Sequence, residues 1–226
     1  HRDLHSFPTR RSSDLRSQRV LWLLEELGVP YEIVRYQRQP DMRAPKELRA
    51  IHPLGKSPVV TDNGNTIAES GAILEYIIAT YGNGRLIPPA DTPERLRYTY
   101  WLHYAEGSAM TPLLLKLLFT LMPKRAPALL RPLVRKVSNT ALSTLVNPQL
   151  KQHMAYWEGE LGKSEWFAGN DFSGADIQMS FPLEAAAARG GLEDGHPRCV
   201  AFLERIHARP AYARALEKGG PYEVGR

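Results

Sequence analysis

Every strand-like pattern in the chain lies before Gly82, and everything after Pro93 carries helical periodicity alone. Such a division calls for a small α/β unit followed by a helical one. Between them, Pro88, Pro89 and Pro93 make a rigid, helix-poor stretch, which sets a linker at 85–93 and a helical domain at 94–226. Helical patterns in that domain run over 94–121, 126–145, 149–161, 176–189 and 198–208. No internal repeat with a period of about 20 to 50 residues is present.

The first unit is read from residue 16. Val20, Leu21, Leu23, Leu24 and Leu27 form an apolar helical stripe that Gly28 closes and Pro30 keeps from continuing. Tyr31 to Tyr36 alternates as a strand. Two short strands, 59–61 and 66–68, flank the turn signal Asp62-Asn63-Gly64-Asn65, and a helix over 70–81 follows with Ile73, Leu74, Ile77 and Ile78 on one face. Residues 1–15 show neither strand alternation nor helical period.

The chain has 226 residues, of which 43% are hydrophobic, enough for two domains sharing an interface. No apolar run reaches the roughly 18 residues of a membrane span, and the beginning lacks the apolar stretch of a secretory signal. A cytoplasmic protein with no membrane partner is the expectation. Cys199 is the only cysteine, which excludes an internal disulfide, a CxxC redox pair and a cysteine-rich metal cage. Thiol chemistry must then use a thiol supplied by a ligand, and no metal is expected. The net charge of +5 comes from basic residues scattered through helical segments, so no nucleic-acid partner is expected either.

Three motifs stand out. Leu54-Gly55-Lys56-Ser57-Pro58-Val59-Val60 is followed by Glu69-Ser70 at a predicted helix start. Phe172-Ser173-Gly174-Ala175-Asp176-Ile177 has a serine three residues before an acid, the spacing of a helix capping box. Trp22 to Glu32 joins the first helix to the first predicted strand. Read alone, Ser57-Pro58 is an ordinary turn, Ser70 an N-cap, Glu69 a first-turn charge and Lys56 a loop lysine. Together, over residues 16 to 215, these segments resemble the glutathione transferases, in particular the serine-type bacterial and fungal branch.

The resemblance implies a thioredoxin-like domain at 16–84 and an all-α second domain, with glutathione as co-substrate and a homodimeric state. It further implies that Pro58 is cis and that Ser57 offers its backbone N–H and C=O to the cysteinyl part of glutathione. Ser70 and its helix end would receive the γ-glutamyl carboxylate, Glu69 the γ-glutamyl ammonium and Lys56 the glycyl carboxylate, with His52 and Arg43 further candidates for that last end. Ser173 and Asp176 take a folding role and no catalytic one. An electrophile site is expected on the helix bearing Trp101, Tyr104, Ser108 and Met110, residues whose helical spacing equally suits a core.

In serine-type members a hydroxyl just before the first helix donates to the glutathione sulfur. A free thiol has a pKa of about 8.5, and a hydrogen bond to a charged group is worth about 1.5 to 3 kcal/mol, enough to lower that pKa by roughly one to two units. Matching Arg19 to the family arginine puts the serine at position 15, which is Leu15 here and cannot donate. Ser17 is the nearest hydroxyl on the helix start and Ser13 the next on the other side. His5 to Leu15 also resembles the translated end of a short-read sequencing adapter, so residues 1–15 are read as foreign sequence standing where the fold needs a further strand in the middle of its sheet. The function implied is conjugation of glutathione to small hydrophobic electrophiles. Alternatives are a glutathione-dependent peroxidase, dehalogenase or isomerase, or a non-catalytic glutathione-binding or interaction module of the same fold.

Overall fold

Helix α1 (Ser17–Leu27) is buried along both of its faces, with Val20, Leu21, Trp22, Leu23, Leu24 and Leu27 all in the core. A helix buried all round needs cover on every side, and the computed structural model, which describes residues 4–9, 16–36, 44–192 and 195–220, supplies it. Helices α3 (Ser70–Tyr81), α8 (Gly174–Arg189) and α10 (Pro210–Gly219) surround α1, and Val60 of the sheet joins the same core cluster. Gly28 ends the helix at φ 67°, the left-handed conformation that favours glycine.

The sheet has four strands in the order β2-β1-β3-β4. The outer strand β2 (Tyr31–Arg35) runs parallel to β1 (Leu4–Thr9), whereas β3 (Val59–Asp62) is antiparallel to both β1 and β4 (Asn65–Ala68). The expected hairpin at 62–65 is present, with Asn63 and Gly64 both at positive φ. The central strand is a correction to the sequence reading. Residues 4–9 carry no alternating pattern, yet they fill the slot between β2 and β3, where the facing backbone groups of both strands need a partner. The filling is irregular: the register with β2 shifts between Leu4 and Phe7, the bridge to β3 is His5 with Thr61, and Pro8 has no N–H to give a central strand. A six-residue helix, α2 (Lys46–Ile51), occupies part of the segment left unassigned between the first and second predicted strands.

The rest is helical, so the fold is a thioredoxin-like domain joined to an all-α domain. Helix α4 (Pro93–Tyr104) begins at a Thr92 cap whose hydroxyl accepts from the Arg95 N–H at 3.2 Å. A π-helical turn at Ala105–Ala109 carries it into α5 (Met110–Arg125). A second π-helical turn, Leu142–Val146, joins α6 (Arg131–Ala141) to α7 (Asn147–Glu160), so two of the expected helices form one bent rod. Helix α8 is the central post of this domain, followed by α9 (Pro197–His207) and α10. Gly174, its first residue, lies so close to α3 that an added Cβ would stand 2.5 Å from Ile78 Cδ1. Helix α10 had no counterpart in the sequence reading; Pro210 stands in its first turn, where the missing N–H costs nothing. It is clamped to α1 by Arg214 and Lys218 on Glu25 and by Arg209 on Glu26. Cys199 is buried in the core.

Candidate functional site

The beginnings of α1 and α3 and the turn before β3 converge on one polar cleft of ≈ 150 Å³. Six of the residues singled out in the sequence line it together: His52, Lys56, Ser57, Pro58, Glu69 and Ser70. The Ser57–Pro58 bond is cis. Arg16, Leu54, Ala68 and Glu106 complete the wall.

Ser70 opens α3, and no side chain caps that helix end. The residue before it, Glu69, sits at φ 70° and ψ 120°, a conformation L-residues rarely adopt. Glu69 is exposed and its carboxylate makes no hydrogen bond or ion pair among the described residues, and the same holds for the Lys56 ammonium. Ser70 is 4% exposed, and its hydroxyl accepts from Arg19 Nη2 at 3.0 Å and from Gln178 Nε2 at 3.4 Å. A hydroxyl has two lone pairs and one proton. With both lone pairs taken, the proton remains to donate, next to the free N–H groups and positive dipole end of α3. An anion placed there receives donors from the side chain and the helix together.

Arg19 is what fixes this arrangement. Its guanidinium is 1% exposed and reaches the Gln178 carbonyl at 3.0 Å, the Ser70 hydroxyl and the Glu106 carboxylate at 2.6 Å. Arg16, one helical turn earlier, holds the same carboxylate with two bonds of 3.2 and 3.1 Å. Burial pushes the Glu106 carboxyl up, but the two guanidiniums outweigh it and hold the group below the usual carboxylate range. Glu106 stands in the π-helical turn, a feature frequent at functional sites. Neither Glu106 nor Gln178 was found from the sequence. A signal existed for Glu106, which is the last acid before a run of 51 residues without Asp or Glu and therefore a natural partner for Arg16 and Arg19.

The remaining expected residues divide. Ser17 begins α1, is buried, and its hydroxyl stands 3.2 Å from that of Ser57, so it abuts the cleft without lining it. Leu15, Ser13 and Arg43 lie outside the described residues. Trp101 and Tyr104 turn into the core, the alternative that their helical spacing left open. Trp101 packs on Phe167 and Tyr156, while the Tyr104 hydroxyl bonds His153 Nδ1 and accepts from Trp157 Nε1 at 3.2 Å. The physical reason is the helix face they share, which points at α7 and α8. Ser108 is exposed and Met110 half-buried, both just after Glu106. A larger cavity of ≈ 500 Å³ runs between the linker and residues 168–173, and of the motif residues it holds Phe172 and Ser173.

Comparison with known proteins agrees with this geometry. The family model for the glutathione S-transferase N-terminal domain matches residues 10–79, and that for the C-terminal domain matches residues 121–210. Glutathione S-transferase 3 of Schizosaccharomyces pombe is 36% identical over 203 residues, covering 90% of this chain and 84% of that protein. A solved glutathione S-transferase from Actinobacillus pleuropneumoniae superposes with a TM-score of 0.74 at 30% identity, over 99% of this chain and 95% of the other. A sphingomonad glutathione S-transferase solved in complex with glutathione does so with a TM-score of 0.71 at 25% identity, over 95% of this chain and 98% of the other.

Proposed function

The chain belongs to the glutathione S-transferase family, and from that premise we propose that it joins the glutathione thiolate to small hydrophobic electrophiles in the cleft between α1, α3 and the Ser57–Pro58 turn. The observation that carries the reading is the uncapped start of α3, where Ser70 keeps a proton to donate, beside the unpaired charges of Glu69 and Lys56. Glutathione has a zwitterionic head and a distant second carboxylate. In our assignment Ser70 and the α3 end take the γ-glutamyl carboxylate, Glu69 takes the ammonium, and the Ser57 backbone holds the cysteinyl segment. Lys56, with His52 beside it and Arg43 in reserve, takes the glycyl carboxylate. His52 supports that end, since its Nδ1 is buried in the cleft wall without a partner.

Thiolate formation is the step where this chain departs from its family. The serine expected at position 15 is Leu15, and we assign the remaining donor role to Ser17, whose hydroxyl is within 3.2 Å of Ser57. We read residues 1–15 as foreign sequence in which residues 4–9 stand in for the family's own first strand and Leu15 for its serine, residues 16–84 and 94–226 as the two domains, and 85–93 as their linker. Ser108 and Met110, following Glu106, are the electrophile-side residues we retain. The enzyme is further read as a cytoplasmic homodimer, the usual state of the family.

Passage over immobilised glutathione followed by assay with a chloronitroaromatic tests the whole. Retention with turnover is expected. Retention without turnover favours a glutathione-binding protein that has lost thiol activation, a second reading that Leu15 itself supports. Absence of retention refutes the assignment.

A further inference from the structure

The bases are spread over several helices, but the excess of bases over acids falls within one stretch of the chain. Residues 107–157 contain seven of the 29 lysines and arginines and none of the 24 acids, so the rest of the chain, with 22 bases against 24 acids, is slightly negative. The centre of that stretch is the hairpin formed by the second half of α5 and by α6. Lys124, Arg125, Arg131, Arg135 and Lys136 are all exposed there, and none has an ion-pair partner among the described residues. The same hairpin carries the densest group of exposed aliphatic side chains: Leu118 and Met122 four apart on α5, Leu129 and Leu130 at the tip, and Leu133 and Val137 four apart on α6. Leu129 is 92% exposed and Leu133 62% exposed. Leucines left in water beside unpaired cations mark a contact surface.

Charge decides what covers it. A second copy meeting it with the same face would set one acid-free cationic surface against another. A nucleic acid would match the charge, but the exposed apolar groups are aliphatic and offer no ring for a base to stack on. An anionic lipid surface satisfies both features at once, drawing in the cations and receiving the leucines below the headgroups. We propose that the α5–α6 hairpin docks this protein peripherally on an anionic lipid leaflet, with Leu129 at its leading edge. No helix of the described residues is long and apolar enough to cross a membrane, and none needs to. The expectation of no membrane partner, drawn from the absence of a span, is thereby revised for this one face.

Co-sedimentation of the full chain with vesicles tests the proposal. Vesicles of phosphatidylcholine with about 30 mol % phosphatidylserine should bind at least about tenfold more protein than phosphatidylcholine alone, at roughly fivefold per engaged basic residue. The difference should vanish near 0.5 M salt, where the screening length falls to a few ångströms. The variant Leu129→Ser/Leu133→Ser should bind several-fold less, and Arg131→Glu/Arg135→Glu/Lys136→Glu should bind no better than to neutral vesicles. Both should keep the parent's conjugation of a water-soluble electrophile, which also certifies their folding. Equal binding to both vesicle types, or variants that bind as the parent does, would overturn the proposal. So would a DNA oligonucleotide or polyglutamate bound more tightly than the anionic vesicles, or a leucine variant that changes the oligomeric state in sedimentation, which would make the face a subunit contact.

Discussion

Two helices in this molecule start at a buried serine with an acid within three residues of it, and they are put to opposite uses. At the start of α8, Ser173 and Asp176 form a capping box closed on itself. Asp176 accepts from the Phe167 N–H and the Ser173 N–H, both at 2.8 Å, and from the Ser173 hydroxyl at 3.0 Å. Its carboxyl is wholly enclosed, and burial pushes it up to about 6 against the pull of those donors. At the start of α3 the serine is held from behind by Arg19 and Gln178, no side chain caps the helix, and Glu69 is exposed at the cleft. A helix end that satisfies its own donors is scaffolding. One whose donors are fixed from behind and left open in front is prepared for a ligand.

Mutations at the two starts should therefore separate stability from binding. The largest effect is expected at the closed one: Asp176→Ala strands three buried donors and should cost about 3 kcal/mol in denaturant unfolding at neutral pH, with the glutathione affinity of the folded fraction unchanged. Next comes the position that feeds the open start with a reactive thiol. Leu15→Ser should raise conjugation about tenfold to hundredfold while leaving glutathione binding as it is; no gain would refute the assignment of the missing serine. At the open start itself, Glu69→Gln should weaken glutathione binding about tenfold by calorimetry and leave the unfolding midpoint in place, since Glu69 holds nothing in the protein.

The smallest effect checks that the rear of α1 is scaffolding only. Burial raises the Glu25 carboxyl, but hydrogen bonds from Lys218, Tyr31 and Arg214 outweigh it and bring it to about 2. A depressed carboxyl contributes stability that is present above its unfolded value near 4.5 and is lost as the pH falls towards about 2. Glu25→Gln should lower stability at neutral pH by about 1 kcal/mol, because Lys218 and Arg214 are half exposed, and should flatten the acid limb of the stability profile. Glutathione affinity should not move.

Local features were legible in the sequence and distant ones were not. The apolar stripes of α1 and α3 and the Asp62-Asn63-Gly64-Asn65 turn declare themselves through spacing, and the motif running from Lys56 to Ser70 assembles one wall of the cleft from neighbouring segments. Glu106 and Gln178 reach that wall from 87 and 108 residues away from their partners Arg19 and Ser70, a separation that no periodicity encodes. Trp101 and Tyr104 lie on α4 and Glu106 lies in the π-helical turn that follows it, so one stretch serves both core and cleft. The strand β1 was missed because its place in the sheet comes from β2 and β3, which need a partner, and not from any alternation of its own.

The central claim is that the start of α3 recognises the γ-glutamyl end of glutathione. Titrating the protein calorimetrically with glutathione and with the dipeptide Cys-Gly, which keeps the thiol and the glycyl carboxylate, tests it most directly. The account predicts glutathione bound and Cys-Gly weaker by about a hundredfold, the loss of two charge-assisted contacts. Equal affinity for both would contradict it.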